Sequence, residues 1–150
     1  MLPDQLKEFI GQTVDASVFV SALNSAEPDH RESVDFLSAL GDRPRPLILP
    51  TLVRPEIAGA VVRRTGDREL ALRDAELGFL RGQVVFVELD AALADEATEL
   101  AATHGLRGAD AVYAATARRF DAVLVTLDSE QQDKLPADIV ARRPGEVDSA

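Results

Sequence analysis

Apolar residues along the chain follow two alternating patterns. Short continuous runs rich in β-branched residues, at 47–49, 84–89 and 122–127, are typical of strands buried in a sheet. The stretches between them repeat apolar residues every three to four positions, as amphipathic helices do. These patterns predict strands at 13–15, 47–49, 84–89, 122–127 and 138–141, and helices at 4–10, 16–23, 27–40, 51–64, 67–80, 91–104, 109–120 and 129–134.

Strands that alternate with helices favour a mostly parallel sheet covered on both faces, because each parallel connection crosses over through a helix. We therefore expect an α/β fold in a single domain of residues 1–150. Its core would span about 13–141, with 84–89 as a central strand, and residues 142–150 would form a flexible tail. Ligands of such sheets bind outside the carboxyl ends of the strands, so polar residues at that edge are the first candidates for function.

Composition restricts the chemistry that the chain can carry. The 150 residues are 46% apolar and 28% charged, which is typical of a globular domain and excludes a wholly disordered chain. The absence of cysteine excludes disulfides, thiol catalysis, iron–sulfur clusters and cysteine-based zinc sites. The two histidines, His30 and His104, are too few for a histidine-rich metal site. Any metal ion held here would be bound mainly by oxygen atoms.

Charge and hydropathy bear on location and partners. The longest uncharged stretch, residues 16–26, is about half the roughly 20 residues that a transmembrane helix needs. The first ten residues carry charges and no unbroken apolar region, unlike a signal peptide, so we expect a cytoplasmic protein. The net charge of −10 disfavours passive coating of nucleic acid and favours a cationic partner, divalent metal ions, or both.

Four acidic residues fall where the predicted strands end or the following helices begin. Asp15 is at the end of the first strand and Asp128 follows strand 122–127, whereas Glu56 and Asp110 stand in the first turns of helices. Each has an ordinary structural explanation, because Asp caps helix N-termini and the helix dipole favours acids in the first turn. As a group they are less ordinary, because clustered carboxylates repel one another unless a cation is present.

The group of four acids indicates a site for a hard divalent cation. Carboxylate oxygens select Mg²⁺ or Mn²⁺ over softer metals. One or two such ions can activate water and stabilise an in-line displacement at a phosphodiester. Ser17, two residues after Asp15, could cap the following helix instead or add a hydroxyl group beside the metal. Thr126, two residues before Asp128, would project to the same side of the pleat.

Four segments resemble one known family in their order along the chain: VDAS at 14–17, RPEIAGAVVRR at 54–64, RGADAVYAATA at 107–117 and VTLD at 125–128. They are similar to the motifs of PIN-domain nucleases, and especially of the VapC-type toxins of bacterial toxin–antitoxin pairs. The resemblance spans about 13–141. It implies a three-layer α/β/α fold and Mg²⁺- or Mn²⁺-dependent ribonuclease activity. By position, the acidic metal site would consist of Asp15, Glu56, Asp110 and Asp128, accompanied by Ser17 and Thr126.

The resemblance also implies partners: an RNA substrate, a second copy of the chain, and a cognate antitoxin whose basic C-terminal segment would place an arginine against the acids. Five apolar residues on two predicted helices could form a dimer surface or belong to the core: Val34, Phe36, Leu37, Leu77 and Phe79. Six arginines could guide RNA or simply be solvated: Arg54, Arg63, Arg64, Arg107, Arg118 and Arg119.

Two other functions compete with the nuclease. A phospho-acceptor receiver domain is also a small α/β unit with acids at strand ends, but it needs paired acids after the first strand and a lysine after the last core strand. This chain has only Lys7 and Lys134, and Ala16 and Ser17 follow Asp15. A non-catalytic PIN-fold interaction module remains the alternative, because polar residues occupy 129–132, where relatives commonly have a bulky apolar residue.

Overall fold

The structure is a computed structural model that describes residues 11–42 and 45–147. Its strands are β1 (Gly11–Val14), β2 (Leu47–Pro50), β3 (Val84–Val87), β4 (Ala122–Val125) and β5 (Ala141–Arg142). Its α-helices are α1 (Ala16–Ala22), α2 (His30–Ala39), α3 (Val53–Thr65), α4 (Arg68–Ala75), α5 (Ala91–His104), α6 (Gly108–Arg119) and α7 (Ser129–Lys134). Short 3-10 turns lie at Leu40–Asp42 and Pro144–Glu146.

The five strands form one parallel sheet in the order β3–β2–β1–β4–β5. β1 lies at the centre and pairs along its whole length with β4, from Gly11 opposite Ala122 to Val14 opposite Val125. The helices flank this sheet and bury its apolar side chains, among them Val14, Leu49 and Leu124. The predicted α/β fold with a mostly parallel sheet is confirmed.

Helix boundaries follow local capping chemistry. The side chains of Asp67 and Asp90 accept hydrogen bonds from the third residue beyond them and so begin α4 and α5. Gly66 and Gly105 end α3 and α5 with φ of 69° and 68°, a left-handed conformation that favours glycine. These caps are visible in the sequence, and most helix boundaries accordingly lie within two residues of the prediction.

The prediction that 84–89 is a central strand is wrong. β3 is an edge strand, and the side chains of Val85 and Phe86 are 39% and 44% exposed. β-branched residues favour a pleated, half-buried surface, but they do not specify a strand's place in the sheet. The predicted helix at 67–80 also ends early, at Ala75, and Leu77 has a φ of 58° in the turns that follow.

The C-terminal segment differs from the expected flexible tail. β5 lies at 141–142 rather than 138–141, and Arg143 continues from it towards α2. The guanidinium of Arg143 donates to Asp29 at 2.8 Å and to Glu32 at 2.9 Å, and the Gly145 amide donates to Glu32 at 2.8 Å. Residues 142–147 are therefore held against the N-terminus of α2. Residues 148–150 and the predicted helix at 4–10 lie outside the described residues.

Three of the five apolar residues considered for a dimer surface belong to the core. Phe36, Leu37 and Leu77 are buried, Val34 is partly buried, and Phe79 is 44% exposed and packs edge-on against Phe19. Other large apolar side chains are exposed on α3 and α4, at β3 and just beyond it. Within residues 11–42 and 45–147, no helix combines the length and apolar character that crossing a membrane requires.

Candidate functional site

Asp15 lies at the carboxyl end of β1, at the centre of the sheet. Its backbone N–H donates to the Val125 carbonyl at 3.1 Å, which joins the ends of β1 and β4. Its carboxylate caps α1 by accepting from the Ser17 amide at 3.0 Å, and it also accepts from the Ser17 hydroxyl. Only 4% of the residue is exposed, and this burial raises its pKa to about 6, against the opposing effect of the hydrogen bonds from Ser17. Asp15 is therefore a charge that the fold buries at a cost.

Asp110, in the first turn of α6, lies among the other three acids. Its pKa is raised, first by burial and then by the negative charges of Asp128 and Glu56. The charge of Asp110 in turn helps to raise the pKa of Asp15. Asp110 is thus the residue through which all four predicted acids interact. These electrostatic interactions place the four acids near one another, and their role as a metal site stays a prediction.

Asp128 follows β4 and caps α7 by accepting from the Gln131 amide at 3.1 Å. Its own N–H donates to the Thr126 hydroxyl at 3.0 Å, and the N–H of Leu127 donates to the Ser17 hydroxyl at 3.2 Å. Ser17 and Thr126, both predicted to accompany the acids, therefore fix the backbone that carries Asp128. Asp15 and Asp128 each combine the helix-capping role with membership of the acidic cluster.

Glu56 is held by a residue that the sequence analysis missed. Its Oε1 accepts from the Tyr113 hydroxyl at 2.6 Å. Tyr113 is 1% exposed and lies one turn beyond Asp110 on α6. Burial and the charges of Glu56 and Asp15 raise the pKa of the tyrosine, so it remains a hydrogen-bond donor. The signal was present in the sequence: the single tyrosine of the chain stands among alanines, one helical turn from a candidate acid.

Positive charge near the acids comes from Arg107 and Lys134, which oppose the rise in the pKa of Asp110. Lys134 was not among the sequence candidates. Most of the other candidate arginines bind elsewhere: Arg54 donates to the Ala75 carbonyl, Arg64 to the Leu23 carbonyl and Arg119 to Glu96, and Arg118 lies 3.8 Å from Asp138.

The chemistry of the four acids fits a hard divalent cation, because every candidate ligand is a carboxylate and the chain has no cysteine. In the part of the chain that the structure describes, however, no group of three Asp, Glu or His side chains has the arrangement to hold a metal ion. Asp15, Glu56 and Asp128 instead point oxygen atoms at protein donors on Ser17, Tyr113 and Gln131.

Several solved structures share this fold. The toxin VapC20 of Mycobacterium tuberculosis, described as cleaving the sarcin–ricin loop, is similar with a TM-score of 0.71 and 19% identity over 87% of this chain and 99% of its own. VapBC2 from Rickettsia felis, bound to a promoter DNA fragment, has a TM-score of 0.65 and 15% identity, covering 88% and 97%. VapBC from Salmonella typhimurium, bound to DNA, has a TM-score of 0.66 and 15% identity, covering 90% and 98%. At such identities the likeness shows the fold.

A search of curated protein sequences gives no significant match. The family model for the PIN domain matches residues 13–136. This range includes all four acids, the strands β2, β3 and β4, and the part of β1 from Thr13 onwards. The chain therefore belongs to the PIN-domain family.

Proposed function

We propose that this protein is an Mg²⁺- or Mn²⁺-dependent endoribonuclease that acts as the toxin of a toxin–antitoxin pair. The observation that carries the proposal is the interaction of Asp15, Glu56 and Asp128 with Asp110 at the carboxyl edge of the sheet. Membership of the PIN-domain family supports it, as do structural neighbours that are toxins or toxin–antitoxin complexes.

In this proposal Asp15, Glu56, Asp110 and Asp128 hold the cation. A divalent ion at such a site activates water and stabilises the charge that develops at a phosphodiester. The chain's own groups hold the ligands: Ser17 hydrogen-bonds to Asp15, and Tyr113 hydrogen-bonds to Glu56. Arg107 and Lys134 supply positive charge beside the acids, where phosphates of an RNA backbone would need it.

The proposed partners are a cognate antitoxin with a basic C-terminal segment and a second copy of the chain. The net charge of −10 and the acidic cluster favour a cationic peptide. For the homodimer, Phe36, Leu37 and Leu77 are buried, whereas Phe79 and three residues of the β3 region are about 40% exposed: Val85, Phe86 and Leu89. Exposed apolar surface of this kind favours protein–protein contact.

The test is RNA cleavage by the purified protein under metal control. The protein is stripped with EDTA, divided, and supplied with Mg²⁺, Mn²⁺ or no metal before incubation with a mixed pool of structured RNA. We expect endonucleolytic fragments with either metal and none without. Intact RNA under all conditions, from a protein that is folded by circular dichroism, would contradict the proposal.

A non-catalytic PIN-fold interaction module is the second candidate. One observation favours it: in residues 11–42 and 45–147 the acids lack the arrangement of a ready metal site. The RNA-cleavage experiment described above separates the two candidates. A module without activity would leave every RNA intact whether or not it binds the metal.

A further inference from the structure

Gln131 lies in α7 between two of the acids, and only 3% of it is exposed. Its side-chain amide nitrogen, Nε2, donates to the backbone carbonyl of Asp110 at 3.3 Å. Its Oε1 accepts from the Thr126 hydroxyl at 3.0 Å, and its backbone N–H donates to the Asp128 carboxylate at 3.1 Å. One buried residue therefore contacts the start of α6, the end of β4 and the cap of α7.

The hydrogen-bonding capacity of these groups determines the orientation of the Gln131 amide. A backbone carbonyl can only accept, so the Nε2 of Gln131 must face Asp110. Oε1 then faces Thr126, whose single hydroxyl proton is donated to it. The Thr126 oxygen is left to accept from the backbone N–H of Asp128, as observed at 3.0 Å. A flipped amide would place Oε1 of Gln131 against the carbonyl oxygen of Asp110, so that two acceptors would face each other. The network therefore has one consistent arrangement.

We propose that Gln131 is a positioning residue for the metal ligands: its side-chain amide sets the position of Asp110, on α6, relative to Asp128, on the β4–α7 turn. This inference rests on the proposed metal-dependent function. Asp110 and Asp128 are 18 positions apart in the sequence and belong to different elements, so their relative position depends on tertiary contacts. Gln131 makes such a contact without being an acid or a ligand itself.

Gln132, the next residue on α7, provides a matched control. It is the same residue type on the same helix, and among the described residues its buried Nε2 has no hydrogen-bond partner. Replacing either glutamine by methionine preserves the length of the side chain and removes its amide. Only Gln131→Met breaks the links to Asp110 and Thr126, and it leaves the backbone cap on Asp128 in place.

The experiment measures Mn²⁺ affinity of the full chain by calorimetric titration, at a temperature where circular dichroism shows every variant folded. We expect Gln131→Met to weaken Mn²⁺ binding about tenfold, as other losses of ligand-orienting contacts do, and Gln132→Met to bind like the parent. A change in stability alone would not alter the affinity of a fully folded protein. If Gln131→Met does not fold, Thr126→Val, which removes the hydroxyl at the other end of the same bond, is expected to weaken binding in the same direction.

Two negative results have different meanings. If the parent protein binds Mn²⁺ and the folded Gln131→Met variant, or Thr126→Val in its place, binds it equally well, the positioning role is wrong and the proposed function stands. If the parent protein binds no Mn²⁺ at all, the metal-dependent function is wrong, and the role of Gln131 as a positioner of metal ligands is overturned with it.

Discussion

Among the residues that the structure describes, Asp15 is the one acid that the fold buries almost completely. Burial raises its pKa from the ordinary value of 3.8 to about 6. Between these two values the folded protein therefore binds more protons than the unfolded chain. It follows that the metal-free protein gains stability as the pH falls from above 6 towards 4, and that it lacks this contribution at neutral pH. The raised pKa of Asp110 acts in the same direction.

The prediction for Asp15 is a pH-dependent free energy of unfolding in the presence of EDTA. The shift corresponds to about 3 kcal/mol, so stability at pH 5 should exceed that at pH 7.5 by a measurable part of this amount. Asp15→Asn should be more stable than the parent at pH 7.5 and should show a smaller rise on acidification. Urea unfolding of both proteins at the two pH values measures this. Parallel pH dependences for the two proteins would show that Asp15 is not the cause.

Individual residues also show what the sequence could not reveal about the site. The four acids were found because each follows a strand or opens a helix, which is local information. The bond between Tyr113 and Glu56 joins residues 57 positions apart, and that between Gln131 and Asp110 joins residues 21 apart. Such pairs depend on how helices pack against the sheet, which hydrophobic periodicity does not specify.

At the scale of elements, the C-terminal segment is fixed to α2 by charged hydrogen bonds. Burial tends to raise the pKa of Glu32, but hydrogen bonds from Arg143 and Gly145 outweigh it and lower the pKa below its usual range. The contribution of this contact to stability is therefore present at neutral pH and is lost as the pH falls through the lowered pKa, the opposite sign to that of Asp15. Arg143 also reaches the Leu127 carbonyl, beside Asp128, at 3.4 Å.

We predict that Arg143→Ala lowers the free energy of unfolding at pH 7 by about 1–2 kcal/mol, a value reduced from that of buried charged hydrogen bonds because the side chains remain partly exposed. Arg142→Ala is the matched control, since that exposed guanidinium donates to the carbonyl of its neighbour Ala141. Chemical denaturation of the two variants provides the comparison. Equal stabilities would mean that the contact with Asp29 and Glu32 contributes nothing measurable.

Elements differ in how well the sequence predicts them. Helix α7 is predicted at its observed bounds, 129–134, because Asp128 caps it. β3 is predicted as a strand but misplaced in the sheet, because strand order depends on crossovers between distant segments. β5 has two residues and is displaced from its prediction, since so short a strand is defined by pairing with β4 rather than by its own residues.

At the scale of the whole molecule, charge governs the proposed partners. The four acids account for less than half of the net charge of −10, so the wider surface also attracts cations. An arginine of an antitoxin could pair with a carboxylate of the cluster through two hydrogen bonds and take the place of a metal ion. Both ligands neutralise the same charges and should therefore compete.

We predict that Mg²⁺ or Mn²⁺ weakens antitoxin binding and that association slows as salt concentration rises. Titration of the complex with each metal, and association kinetics over a range of salt, measure the two effects. Asp15→Asn and Asp110→Asn should reduce the competition with metal. If the affinity for the antitoxin does not change with metal, with salt or with either substitution, the antitoxin's contacts lie away from the acids.

The most direct test of the acidic cluster as a nuclease site is RNA cleavage by Asp110→Asn beside Asp133→Asn. Both variants lose one negative charge, but Asp110 interacts with the other three acids, whereas Asp133 is an exposed residue of α7. Removing a charge from among like charges should not destabilise the metal-free fold, which thermal melts verify. We expect Asp110→Asn to abolish Mg²⁺- or Mn²⁺-dependent cleavage and Asp133→Asn to cut RNA like the parent. Cleavage by a folded Asp110→Asn protein at the parent rate would contradict the assignment of the site.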